Sequence, residues 1–436
     1  MKITTSYAIE IRHIDKLFRQ MNKIYNDAIT YCITVFENEW QILGTLSDFD
    51  RKSYAEHLIH NTKNNKAKYD FDSKFYKLPI YLRRAVINTS LGYLSSYHSN
   101  YDNWLKNGKK GKHPTLQTHL HEMPVFYNYN MSRGNYEDNT LQLKVFKDND
   151  WKWVTVNLKK TDIESVRKHS RQGKISAPML ERKNNKWFLR FAIEEKVDLN
   201  KTKLEYQRIL AVDLGVNTDA TCSVMNIDGT ILGRHFINET SDKDQLYHTL
   251  NKIKKIQSKY NNHNTDKLWR IATFRNQEIA KKVANRIVDL AEAYECDVIV
   301  FEHLDFKGSK SRNQRLTMWK KNTIQRIVEN KAHRLGIRIR RVNAWGTSKL
   351  AYDGSGKVLR GKDAGFDTNK VCRFTNGKIY NCDLSASYNI GARYFIGQLE
   401  KTMPVKVWSH IQAKVPECVK RTQCTYSTLL AINNVA

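Results

Sequence analysis

Three carboxylates in the 436-residue sequence stand where a carboxylate is unfavourable. Asp213 follows the apolar run Ile209-Leu210-Ala211-Val212, and Glu302 follows Val298-Ile299-Val300-Phe301. Asp383 lies where irregular sequence meets a final helical stretch, just ahead of Leu384 and Ser385. A carboxyl at the end of a buried strand must be paired or face a cation. Taken singly, an acid after an apolar strand is more often a turn or helix-capping residue. Taken together, they point to a different chemistry. Carboxylates a few ångströms apart repel one another and stay ionised only around a cation. A ligand set made of oxygen alone favours Mg²⁺ or Mn²⁺ over zinc. Two such ions about 4 Å apart clamp a phosphodiester, activate a water and stabilise the leaving oxygen. Asp213, Glu302 and Asp383 are therefore the expected catalytic and metal-binding residues, with Mg²⁺ or Mn²⁺ as cofactor.

The elements that must position these acids follow from hydrophobic periodicity. Strands expected at about 208–214, 220–226 and 230–237 form a meander, with Asp228-Gly229 as its second turn. Helical patterns follow at 243–260 and 268–295, then "CDVIVFEHL" as a strand, "TMWKKNTIQRIVENKAHRLG" as a helix and "IRIRRVNA" as a strand. An irregular stretch runs to Cys382, and "LSASYNIGARYFIGQL" is the final helix. The order βββ-α-β-α-β-α is that of an α/β, ribonuclease H-like domain, which brings all three acids to one edge of the sheet. Gly215 in "GVNT" permits a close backbone approach, as to a bound strand. No phosphate-cradling glycine loop precedes a Lys-Ser/Thr pair, so no nucleotide hydrolysis is implied. The tail after Glu400 carries no readable signal.

The charge balance names the class of partner. Lys and Arg number 73 against 44 Asp and Glu, a formal +29, so a polyanion is expected to offset the self-repulsion. The sequence opens with a β-branched strand, "KITTSYAIEI", and a helix whose apolar face runs from Ile14 to Phe36. A second helix after Leu78 ends at "NGKKGKHPT", whose Lys109, Lys110 and Lys112 are candidate nucleic-acid contacts. Residues 115–205 read as short strands of a small β-barrel carrying Trp151, Trp153, Lys159, Lys160, Arg182, Lys183, Lys186, Trp187 and Arg190. Interleaved aromatic and basic residues suit stacked bases and phosphates, although a core face alternating with a solvated face gives the same pattern. "DFKGSKSRNQR", with Lys307, Lys310, Arg312 and Arg315, reads as a basic lid over the acids. "HLHE" at 119–122 reads as surface histidines in a basic loop. Seven scattered cysteines, with Cys222 and Cys296 inside apolar runs, fit a reducing compartment. No apolar run is long enough to span a bilayer, and the first residues lack a signal-peptide layout.

The segments "VDLGVNTDATCSV", "IVFEHLDFKG" and "CDLSASYNIGARY" resemble the three RuvC motifs of TnpB, the transposon-encoded OrfB family, and of compact type V CRISPR effectors. In the third, Ser385 and Ser387 replace an Asn and an Ala of the family pattern. The resemblance implies an RNA-guided DNA endonuclease that binds a guide RNA, recognises a short target-adjacent motif, opens the duplex and cuts it in a single RuvC site. It also implies an organisation: a first wedge strand (1–10), a helical recognition domain (11–114), a wedge β-barrel (115–205), the RuvC nuclease domain (206–345), a target-loading insertion (346–382), the last RuvC helix (383–398) and a tail (399–436). The partners implied are guide RNA and target DNA, with no membrane, for a monomer or dimer acting on nucleoid DNA in a prokaryotic cytoplasm. One departure stands out. The family carries a four-cysteine zinc ribbon before the third acid, but here Ala351 and Gly354 take the places of its first two cysteines. Only Cys372 and Cys382 remain, and two thiols do not fill a tetrahedral site, so no zinc is expected. Two other readings use the same residues: a nuclease-inactive RNA-guided repressor, which would be expected to lack at least one acid, and a guide-free transposase or resolvase, which has no need of the basic N-terminal lobe.

Overall fold

The structure is a computed structural model that describes residues 1–436 apart from 12–13, 118–119, 135–138, 171–172, 260–263, 304–318 and 436. The chain divides into two compact units, Lys2–Lys196 and Val197–Ala436, the latter including Met1.

In the first unit, β1 (Lys2–Ile11) leads into α1 (Asp15–Asn38), the short α2 (Trp40–Leu43), α3 (Asp48–Ile59) and the long α4 (Ile80–Lys106). Helix α1 buries Phe18, Met21, Tyr25, Ala28, Ile29, Cys32 and Phe36, the spacing of one helical face. The strands β2 (Ser132–Arg133), β3 (Thr140–Lys147) and β4 (Asp150–Asn157) form one antiparallel sheet. Helix α5 (Lys160–Ser170) follows, then β5 (Gly173–Ile175), β6 (Met179–Lys183) and β7 (Lys186–Lys196). These last three strands join β1 in a second sheet, in which β7 pairs with β1 from Lys2↔Lys196 to Ile11↔Trp187.

Two expectations change here. The strands fall into two hydrogen-bonded sheets, not one closed barrel. The expected strand around Lys159 and Lys160 is the start of α5, where Ile163 and Val166, three apart, supply a helical apolar face. One continuous core spans the helices and both sheets, from Ile9 through Leu94 to Ile193.

In the second unit, β8 (Arg208–Asp213), β9 (Ala220–Asn226) and β10 (Ile231–Ile237) form the expected meander. Two helices, α6 (Thr240–Lys259) and α7 (Asp266–Ala293), precede β11 (Val298–His303); α8 (Lys321–Arg334) and β12 (Arg338–Asn343) follow it. The sheet order is β10-β9-β8-β11-β12, with β8, β11 and β12 parallel. Alternate side chains serve opposite faces. Leu210, Val212, Ile299 and Phe301 pack in the cluster that includes α6, α7 and α8. Ile209, Ala211, Val298 and Val300 pack with the closing helix α9 (Cys382–Thr402). Before α9, the stretch expected to be irregular forms a small antiparallel sheet of β13 (Leu359–Arg360), β14 (Val371–Arg373) and β15 (Ile379–Asn381). After α9, the tail folds as α10 (Val405–Lys414) and α11 (Tyr426–Asn433), which share the α9 core through Trp408, Ile411, Leu429 and Ile432. Among the described residues, no helix is long and apolar enough to cross a membrane.

Candidate active site

The parity of two neighbouring strands places the first pair of acids. β8 and β11 run parallel in the register Val298↔Ile209 to Phe301↔Val212, so Glu302 stands beside Asp213 one position further on. Adjacent strands lie about 4.8 Å apart. Asp213 continues the series Ile209, Ala211, and Glu302 continues Val298, Val300, so both belong to the face that α9 covers. Asp383 arrives on that face in the first turn of α9. The helix begins there because the Asn381 side chain caps it, accepting from Leu384 N at 2.9 Å. Gly391 lets α9 lie close to β8: a Cβ there would stand 3.3 Å from the Ala211 Cβ.

The electrostatics follow from this convergence. Burial raises the Asp213 carboxyl pKa well above its ordinary value, and repulsion from Glu302 and Asp383 adds to the shift. The positive charge of Arg360 opposes it. Glu302, 8% exposed, is likewise raised by burial, against a hydrogen bond from Thr347 and the charge of Arg393. Asp383 is raised by burial too, against Arg360, a Thr218 hydrogen bond and Lys370. Other buried acids of the same sheet are differently served. Asp219 accepts from Glu239 N at 2.7 Å and pairs with Lys243 at 3.2 Å. Asp297 accepts from Thr202 Oγ1 and from Arg208 N at 3.1 Å. Those two hold backbone in place, whereas Asp213, Glu302 and Asp383 face one another. Among the described residues, no three His, Cys, Asp or Glu side chains close on a single point.

Gly215 serves the loop itself. The approach it permits is internal, since a Cβ there would lie 2.6 Å from Thr218 O. The tight turn delivers Thr218 to Asp383.

The comparisons with known proteins can now be set beside this geometry. Residues 3–147 match the model of the Aq_aa04 family. No curated protein matches the chain. Among solved structures, the mini-RNA-guided endonuclease CRISPR-Cas_phi3 aligns over 89% of this chain and 92% of its own, at 10% identity and a TM-score of 0.55. A Cas12f1–sgRNA–target DNA complex aligns over 86% of this chain and 82% of that one, at 16% identity and a TM-score of 0.48. CasPhi-2 (Cas12j) bound to crRNA and phosphorothioate DNA aligns over 92% of each chain, at 9% identity and a TM-score of 0.47. The chain shares the α/β fold of the first of these. At such identities the likeness is one of fold, and chemistry has to be argued from the site.

The remaining expected contacts divide. Lys109, Lys110 and Lys112 are exposed on the turn after α4, where Lys109 Nζ lies 5.9 Å from the Trp104 ring centre. Lys159, Lys160, Lys183 and Lys186 are exposed, with Lys159 3.8 Å from Asp162 and Lys186 3.1 Å from Glu10. Arg190 is engaged by Glu181 and by Ser6 Oγ at 3.0 Å, so its guanidinium is already committed. Trp151 and Trp187 are core residues, the latter donating from Nε1 to Asp15 at 2.5 Å, and so offer no ring to a base. Only Trp153 of the three is partly exposed, and Arg133 lies over it at 3.9 Å. Lys307, Lys310, Arg312 and Arg315, and with them the basic lid, lie outside the described residues, as does His119. In the rest of "HLHE", Glu122 is taken by Tyr93 Oη, which donates to it at 2.6 Å.

Proposed function

We propose that this protein is an RNA-guided DNA endonuclease that cleaves in one RuvC-type site formed by Asp213, Glu302 and Asp383. The observation that carries the reading is the approach of these carboxyls from β8, β11 and the start of α9, with the Asp213 pKa raised by burial and then by its two neighbours. The fold shared with a mini-RNA-guided endonuclease supports it. The formal +29 fits a protein that wraps polyanions.

The donor set fits a hard divalent cation, because all three groups are carboxylates and their repulsion is relieved by positive charge. Mg²⁺ or Mn²⁺ held there supplies Lewis-acid stabilisation of the phosphoryl oxygens and a water of lowered pKa. Asp213 and Glu302 supply ligands from a rigid sheet edge, and Asp383 adds a third from the helix start. Arg360, close enough to act on both aspartates, offers positive charge for the scissile phosphate. The unit Lys2–Lys196 serves as recognition and wedge lobe for guide RNA, and residues 346–382 help to load the target strand without zinc. Sequence choice rests on base pairing and a short flanking motif. The working place is nucleoid DNA in a prokaryotic cytoplasm, as monomer or dimer.

The test is Asp213→Ala in the guide-loaded protein. Cleavage should fall by about three or more orders of magnitude while target binding, which rests on contacts elsewhere, is retained. A variant that cuts at close to the wild-type rate ends the assignment. One that loses folding, binding and cutting together marks Asp213 as structural.

A further inference from the structure

Glu302 is held by a chain of buried polar contacts that ends in the C-terminal tail. Thr347, 1% exposed, donates from Oγ1 to Glu302 Oε1 and also lies 2.9 Å from Ala344 O. One hydroxyl proton thus faces two acceptors. The contact with Thr347 anchors Oε1 and leaves Oε2 for the site.

The loop carrying Thr347 is fixed from α9. Asn389, fully buried, donates from Nδ2 to Thr347 O and Leu350 O, each at 2.9 Å, and accepts at Oδ1 from Tyr426 N at 3.0 Å. Arg393 donates from Nη1 to Asn343 O at 2.9 Å and Trp345 O at 2.8 Å. It also donates from Nε to Cys424 O at 3.0 Å and from Nη2 to Thr422 O at 2.7 Å. Ser385, four residues before Asn389, accepts from Tyr352 N at 3.2 Å. Residues 385, 389 and 393 share one helical face. That face binds the loop after β12 on one side and residues 422–426 on the other. Arg393 is a buried cation surrounded by carbonyls, and Glu302 is the acid whose charge it offsets.

From this network we infer that Thr347 is a positioning residue that fixes the Glu302 carboxylate for metal binding, and that Asn389, Arg393 and the 422–426 segment serve to hold Thr347 in place. The inference rests on the metal site of the proposed function. Partners that orient a ligand typically change metal affinity 10- to 100-fold when removed.

The experiment compares Thr347→Val, which keeps the shape and loses the hydroxyl, with Thr347→Ser, which keeps the hydroxyl. Mn²⁺ is titrated calorimetrically into each full-length protein, and melting temperature is recorded without metal. Thr347→Val should bind Mn²⁺ about 10-fold or more weakly with a melting temperature close to wild type, and Thr347→Ser should restore affinity. Wild-type Mn²⁺ affinity in Thr347→Val overturns the inference. So does a loss that tracks a falling melting temperature and is not rescued by serine. Asp213→Ala run alongside separates the failures. If it loses Mn²⁺ while Thr347→Val does not, only the positioning role falls; if it also binds Mn²⁺ like wild type, the metal site itself falls.

Discussion

At the scale of the residue, a carboxyl that is protonated more readily in the folded chain than in the unfolded one has a definite thermodynamic consequence. The pKa of Asp213 is raised in the fold by burial and by the charges of Glu302 and Asp383. The native state therefore binds more protons than the unfolded state between the ordinary carboxylate pKa and the raised one, and stability falls as pH rises through that window. Metal-free protein should melt at a higher temperature as pH falls through that window. Asp213→Asn should flatten that dependence and raise the melting temperature at pH 8, by about 2–4 °C for each kcal/mol of repulsion relieved. Scanning calorimetry of both proteins in chelator across this range checks it; an Asp213→Asn protein that melts lower than wild type at pH 8 argues against a strained triad. These acids were legible in the sequence because each breaks an apolar pattern at a place where strand parity decides which face it joins. Thr347, Asn389 and Arg393 were not legible in the same way. Their partners, the Glu302 carboxylate and backbone groups, lie up to 50 positions away, and no local pattern records them.

At the scale of the element, the insertion before α9 encloses a small apolar core. Ala351, where the family resemblance would place a zinc ligand, is fully buried with Cys372, Phe374 and Cys382. Tyr352 packs edge-on against Phe374 and Tyr388, and Lys378 donates to its hydroxyl at 2.6 Å while lying 4.9 Å from its ring centre. The Cys372 and Cys382 thiols are hydrogen-bonded neighbours, which holds the Cys372 thiol below its ordinary pKa and pushes that of Cys382 up. A cluster of this kind holds the β13-β14-β15 sheet by packing. The purified protein should carry less than about a tenth of an equivalent of zinc, since two thiols leave half of a tetrahedral site unfilled. A zinc chelator should leave its melting temperature unchanged, and the paired Cys372→Ser, Cys382→Ser variant should still cleave; one zinc per chain, lost in that variant, would refute the reading. The long, strongly periodic elements of the nuclease sheet were readable from sequence. The three short strands here were not, because strands of two or three residues carry no period and are set by tertiary partners such as Tyr352. Helix α5 was missed for a related reason. Its apolar side rests on little more than Ile163 and Val166, and the neighbouring strands biased the reading.

At the scale of the whole molecule, the charge surplus separates general affinity from specific action. A formal +29 gives guide-free protein an affinity for any polyanion, and that affinity decays steeply with salt because it is driven by counterion release. On the proposed reading specific cutting has another origin, a partner that pairs with DNA and brings the target choice. The turn after α4 offers a place to test the first half of this division. Lys109, Lys110 and Lys112 are exposed on a glycine-bounded turn, unlike Arg190, whose guanidinium is taken by Glu181. Each lysine that contacts a phosphate contributes about one unit to the slope of log affinity against log salt. Replacing all three with Glu should therefore lower the slope for RNA by about 2–3 units and weaken binding at low salt by at least about tenfold. The nuclease unit is untouched by the change, so cleavage should recover at saturating guide concentration. Binding isotherms for RNA at several salt concentrations, with cleavage measured on the same preparation, test both halves at once. An unchanged slope removes the turn from the RNA surface, and sequence-specific cleavage by protein freed of RNA overturns the guided reading altogether.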